Sequence, residues 1–125
     1  MAWKFAGDRP VYQQIMEHVR GAVLTGELPP GGRVPSVREL AAQAGVNPNT
    51  MQRALYELEQ EGLLQTQGTL GRVVTEDEEI LSRLRRAAVE QVVRRCDAAL
   101  KELGLTLADA ARLLQTWDEE EKEEA

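Results

Sequence analysis

Apolar residues near the start of the chain fall at Val11, Tyr12, Ile15, Met16, Val19, Ala22 and Val23. Spacing of three and four residues gathers them into one stripe on a helix. Pro10 suits the first helical turn, where its missing N–H costs nothing, and Gly26 is placed to end the helix. The pattern therefore predicts a helix from about Pro10 to Thr25. Leu28-Pro29-Pro30-Gly31-Gly32-Arg33-Val34-Pro35 breaks the periodicity with glycine and proline and predicts an extended connector.

Ser36 then opens a short second helix ending near Gln43. Ser36-Val37-Arg38-Glu39 has the spacing of a capping box, in which the hydroxyl takes the amide of Glu39 and Glu39 reaches back to that of Ser36. Ala44-Gly45-Val46 makes a tight turn. Asn47-Pro48 starts a third helix, with asparagine as cap and proline at the first position. Met51, Ala54, Leu55 and Leu58 form its buried stripe, and Gly62 stops it. Beyond, Leu63–Gln67 and Arg72–Thr75 are short strand candidates joined by Gly68-Thr69-Leu70-Gly71, which predicts a β-hairpin.

Residues 76–103 return to helical spacing through Leu81, Leu84, Ala88, Val92, Ala99 and Leu103, until Gly104 breaks the run. Thr106, with Asp109 three residues on, caps a last helix that carries Leu107, Ala110, Ala111, Leu114 and Trp117. An acidic tail, Asp118 to Glu124, is expected to be frayed and solvated.

Two short helices joined by a glycine-containing three-residue turn form a helix-turn-helix. The following hairpin makes it a winged one. The fold class expected is mainly α with a small β-hairpin: a winged helix-turn-helix over residues 1–75, then a two-helix dimerisation hairpin and acidic tail over 76–125. A recognition helix reads base edges from its N-terminal residues. Here those are Asn47, Asn49, Thr50, Gln52 and Arg53. Asparagine and glutamine can pair with adenine, and arginine with guanine, in bidentate fashion.

The net charge of −6 speaks against nucleic acid until the chain is divided. Residues 1–75 hold seven basic and seven acidic side chains, while residues 76–125 hold eight basic and fourteen acidic. The deficit is therefore C-terminal, and residues 47–56 contain no acid at all. A winged helix acting only as a protein–protein adaptor has no reason to exclude acids there. Aromatic residues are only 4%, so the core should be aliphatic. The single cysteine, Cys96, excludes an internal disulfide framework and a cysteine-rich zinc site. His18 has no ligand-forming neighbours and reads as a packed or surface histidine. No signal peptide, transmembrane run, nucleophile–base pairing, phosphate loop or metal cluster is legible. The expectation is a cytoplasmic, non-enzymatic protein with no cofactor and no membrane contact.

Residues 10–75 resemble the DNA-binding domain of the GntR family of bacterial regulators. The stretches that carry the likeness are Pro10–Ile15, Gly31–Ala41, Gly45–Leu55 and Leu58–Leu63. The resemblance implies DNA contacts from Arg38, from the start of the third helix, and from the wing tip at Gln67 and Gly68. Ser36, Arg33 and Arg72 join the list as phosphate candidates. Many family members carry an arginine where this chain has Pro48. The Asn-Pro-Asn-Thr form is similar to the YtrA subfamily, and readout then falls on Asn47, Asn49, Thr50, Gln52 and Arg53. The short helical tail also looks YtrA-like, which implies a homodimer formed through Leu81, Leu84, Ala88, Val92, Leu103, Leu107, Leu114 and Trp117. The function implied is a repressor bound to an inverted-repeat operator in double-stranded DNA. The sequence names neither the operator nor an effector.

Overall fold

The boundaries that glycine and proline predict are where helices stop and start in the structure. The computed structural model describes residues 1–124. In chain order the elements are α1 (Val11–Leu24), α2 (Val37–Ala44), α3 (Pro48–Gln60), β1 (Leu64–Gln67), β2 (Gly71–Val74), α4 (Glu78–Glu102) and α5 (Leu107–Glu124), with a single 3-10 turn at Gly68–Leu70 between the strands. The chain forms two compact units that part between Arg85 and Arg86.

The first unit is built on α3. Met51, Ala54, Leu55 and Leu58 lie on one side of this helix and are wholly buried. They meet Ile15 and Val19 of α1 and Leu40 of α2 in one aliphatic cluster. Gln14 is a buried polar residue with its hydrogen bonds satisfied: its amide takes Ala6 N–H at 2.7 Å and donates to the carbonyls of Ala6 and Arg9, both at 2.8 Å. These bonds tie the N-terminal segment down. His18 lies among Trp3 and Phe5, its Nε2 2.8 Å from the Lys4 carbonyl, in line with a packed histidine.

The β-hairpin pairs Leu64 with Val74 at its base and Gln67 with Gly71 at its end. The proline-rich connector does more than link helices. Gly31 N–H donates to Val74 O, Val74 N–H to Gly32 O, and Val34 N–H to Arg72 O, each at 2.9 Å. Arg33 and Val73 form a bridge, so the connector lies as a third edge along β2. Gly32 is needed where it stands, because a Cβ there would sit 2.8 Å from the Pro29 carbonyl oxygen.

Both predicted caps of the helix-turn-helix form. The Ser36 hydroxyl accepts from Glu39 N–H at 3.2 Å, and Asn47 Oδ1 accepts from Asn49 N–H at 2.8 Å. The reciprocal half of the first capping box differs from expectation. The Glu39 carboxylate accepts the Ser36 hydroxyl proton, at 3.2 Å, instead of reaching the Ser36 amide.

Two expectations for the C-terminal part are corrected. Leu81, assigned from its spacing to a dimer surface, is buried in the core of the first unit, and Leu84 packs against the same core. The first turns of α4 complete the fold of their own chain. The acidic tail is also no frayed end: α5 continues to Glu124. Glutamate is a good helix former, and Trp117 Nε1–H donates to Glu121 Oε1 at 3.0 Å. Residues 119–122 are exposed, as expected, while the side chains of residues 118, 123 and 124 lie outside the described residues.

The start of α5 carries a complete capping box. Thr106 N–H donates to Asp109 Oδ2 at 2.8 Å, and Asp109 N–H donates to Thr106 Oγ1 at 3.3 Å. The Thr106 amide holds the Asp109 carboxyl below its ordinary range, helped by the Thr106 hydroxyl. The box is therefore complete above the ordinary aspartate range and is lost as pH falls through the lowered value. Thr106→Ala should cost roughly 1 kcal/mol, the usual price of a lost cap hydroxyl. Thermal unfolding followed by helical circular dichroism checks this, and an unchanged midpoint counts against the cap.

Candidate nucleic-acid interface

Each residue on α3 advances about 100° around the axis. With the buried stripe facing the core, Asn49, Arg53 and Tyr56 point away from it, and Gln52 stands on the flank. All four are exposed, as is the cap Asn47, while Thr50 is half-buried. The first two turns thus present amide and guanidinium groups to solvent without a carboxylate among them. Pro48 at the first position contributes no side-chain donor or acceptor.

Arg53 is braced from below. Its guanidinium carbon lies 3.7 Å from the centre of the Tyr12 ring on α1, a cation–π contact that narrows the space the side chain explores. Arg38 is exposed in the first turn of α2, and Arg33 is exposed on the connector. Among the described residues, Arg33, Arg38 and Arg53 have no carboxylate within ion-pair distance, whereas Arg9 and Arg20 of the same unit are held by Glu17 and Glu61. Cations without an internal partner are what a polyanion requires.

The wing tip is exposed from Gln65 to Gly71, which includes Gln67 and Gly68. Gly71 has φ 77°, a conformation other residues adopt only at a cost, and it lets the second strand turn back from the tip. Arg33, Ser36 and Arg72 come together along one groove between the connector, the start of α2 and the wing, with Thr66, Leu70 and Gly71.

Arg72 is the one candidate whose surroundings do not suit the part expected of it. Its Nε–H donates to Glu59 Oε1 at 2.7 Å, and both side chains are about four-fifths buried. With its charge balanced by Glu59 through Nε, Arg72 differs from Arg33, Arg38 and Arg53, which have no such partner among the described residues. Sequence spacing could not show this, because the partner is thirteen residues away on another element. Tyr56 and Leu70 are exposed apolar residues of the same unit that the sequence reading did not single out. Tyr56 is half-exposed beside Arg53, and Leu70 is half-exposed at the wing tip. The spacing Asn49, Arg53, Tyr56 carried the signal for the former, but an aromatic residue beside Leu55 reads first as core.

Comparison with known proteins agrees with this geometry. The profile of bacterial regulatory proteins of the gntR family matches residues 11–74. The HTH-type transcriptional regulator YhcF of Bacillus subtilis (strain 168) is 35% identical over 116 residues, which is 93% of this chain and 96% of YhcF. The HTH-type transcriptional repressor YtrA of the same organism is 41% identical over 68 residues, 54% of this chain and 52% of YtrA. Among solved structures, a GntR family transcriptional regulator from Listeria monocytogenes superposes with a TM-score of 0.78 at 29% identity, covering 90% of this chain and 98% of that one. The DNA-binding domain of AraR, solved in complex with operator ORX1, has a TM-score of 0.55 at 28% identity over 60% of this chain and 96% of its own.

Proposed function

Since this chain belongs to the gntR family of bacterial regulatory proteins and is a YtrA-like, DNA-binding transcriptional regulator, we propose that it is a repressor whose homodimer reads an inverted-repeat operator. In this reading Asn47, Asn49, Thr50, Gln52 and Arg53 face base edges in the major groove. Ser36, Arg38 and Arg33 hold phosphates, and Gln67 and Gly68 approach the backbone from the wing. The observation that carries the assignment is the exposed, acid-free start of α3 in a helix-turn-helix unit that also holds three exposed arginines, Arg33, Arg38 and Arg53, without an internal ion pair among the described residues. Repression is taken from YtrA, which is named a repressor. The protein acts by occupying DNA in the cytoplasm, with no catalytic step and no cofactor.

The division proposed is a DNA-reading part up to the wing, near residue 75, followed by a dimerising part. Leu81 and Leu84 are withdrawn from the dimer surface for the reason given above. Support for a second copy comes from the apolar residues left in solvent on the second unit. Val92, Leu103, Leu107, Leu114 and Trp117 are between 39% and 73% exposed, and Val89, Leu105 and Leu113 add to them. Large apolar patches left in solvent mark association surfaces, and a two-fold axis lets one such patch cover itself. Such a dimer presents two recognition helices about 34 Å apart, one turn of DNA.

Arg53→Ala tests the readout. Loss of an arginine that contacts a base should weaken operator binding by about 1–3 kcal/mol and relax the sequence preference at one position of each half-site. A titration against operator and point-substituted operators measures both. Equal affinity for the wild-type operator removes Arg53 from the reading set.

A further inference from the structure

Resting on that DNA-binding reading, we infer that Glu59 is a positioning residue that sets the direction of the wing relative to the recognition helix. Glu59 lies in the last turn of α3. Its Oε1 accepts from two donors at once: Thr66 Oγ1–H on β1 at 2.8 Å and Arg72 Nε–H on β2 at 2.7 Å. Thr66 and Arg72 are direct partners across the hairpin ladder, and directly opposed residues project from the same face of a pair of strands. One carboxylate oxygen of the reading helix therefore holds both wing strands at the same rung.

The position of that rung gives the contact its consequence. At the base of the hairpin Leu64, Val73 and Val74 are buried and anchor the wing to the core. Beyond the Thr66–Arg72 rung, Gln67 to Gly71 are all exposed. Glu59 thus ties the wing to the body at its outermost anchored rung, where the connector's Val34 N–H also holds the Arg72 carbonyl of β2 and Glu59 adds the hold on Thr66 of β1. Bonds to a charged acceptor are stronger than neutral ones, and this one is largely out of solvent. Cutting it leaves the core and the connector's bond to β2 intact but removes the hold on β1 and on the Arg72 side chain, which loosens the outer rungs. Arg72 in turn balances the charge of a carboxylate that is largely out of solvent.

The alternative role for Arg72, as a phosphate ligand restrained by Glu59, makes the opposite prediction. The experiment compares the full-length protein with Glu59→Gln and Glu59→Ala, titrated against an operator selected from random DNA, at several salt concentrations. It is run alongside hydrogen exchange of residues 64–74 in the free protein. Positioning predicts operator binding weakened about tenfold, the scale of one charge-assisted hydrogen bond. Binding to non-operator DNA does not fall with it, because each variant carries one negative charge fewer, and exchange at the outer rungs speeds up. Tighter binding with a salt slope steeper by about one phosphate contact shows that Arg72 was released to DNA and overturns the inference. Unchanged affinity with unchanged exchange overturns it as well. A wild-type protein that binds no operator counts against the DNA reading instead, and the exchange comparison still decides whether Glu59 holds the wing.

Discussion

Leu103→Glu combined with Leu114→Glu is expected to leave the protein folded, monomeric and about 10²–10⁴-fold weaker on its operator. The magnitude follows from tethering. When two reading helices belong to one dimer, the second half-site is engaged at the effective concentration set by the first, and avidity of that order disappears when the link is cut. Folding should survive because Leu103 and Leu114 are 73% and 65% exposed in their own chain. Their replacement removes little burial from the fold, whereas a glutamate on each side of a two-fold interface brings like charges together out of water. Sedimentation of wild type and variant gives the oligomeric state, and operator titration gives the affinity. A variant that remains dimeric at micromolar concentration places the interface elsewhere.

Leu55→Ala should be the most damaging single change to the fold. Leu55 is fully buried where α3 meets the rest of the first unit. Truncation to alanine removes three carbons and leaves a cavity that close-packed neighbours only partly fill, at a cost of about 2–5 kcal/mol. Against a total stability of roughly 5–15 kcal/mol for a small domain, that is a large share of what holds the unit folded. The neighbouring Tyr56 is half-exposed, so Tyr56→Ala should change stability by only about 0.5 kcal/mol. Chemical denaturation of the two variants checks the contrast. Equal losses at the two positions would mean that α3 does not present the face assigned to it.

The reading helix was legible because its signals are local. A capping asparagine, a proline at the first position, four apolar residues at helical spacing and a stopping glycine all concern residues that touch through one helix. The same holds for Thr106 and Asp109. The connector was harder, since its hydrogen bonds go to Arg72 and Val74, some forty residues later, and its prolines hide any strand alternation. The partner of Arg72 was hidden for a related reason: an arginine near a wing tip looks free until Glu59 is folded against it. Leu81 shows a limit of periodicity, which tells that a helix face is apolar but not which chain buries it. The first turns of α4 close the core of their own unit, while Val92 and Leu103, on the same stripe in sequence, stay in solvent.

The central claim is sequence-specific DNA binding, and a gel-shift titration against the DNA upstream of the protein's own gene tests it most directly. It is run at two salt concentrations with and without excess competitor. The account predicts a competitor-resistant shift at nanomolar protein and a footprint with two-fold symmetry. A shift that vanishes with competitor or modest salt, for this DNA and for every sequence selected from a random pool, leaves only phosphate attraction and contradicts it.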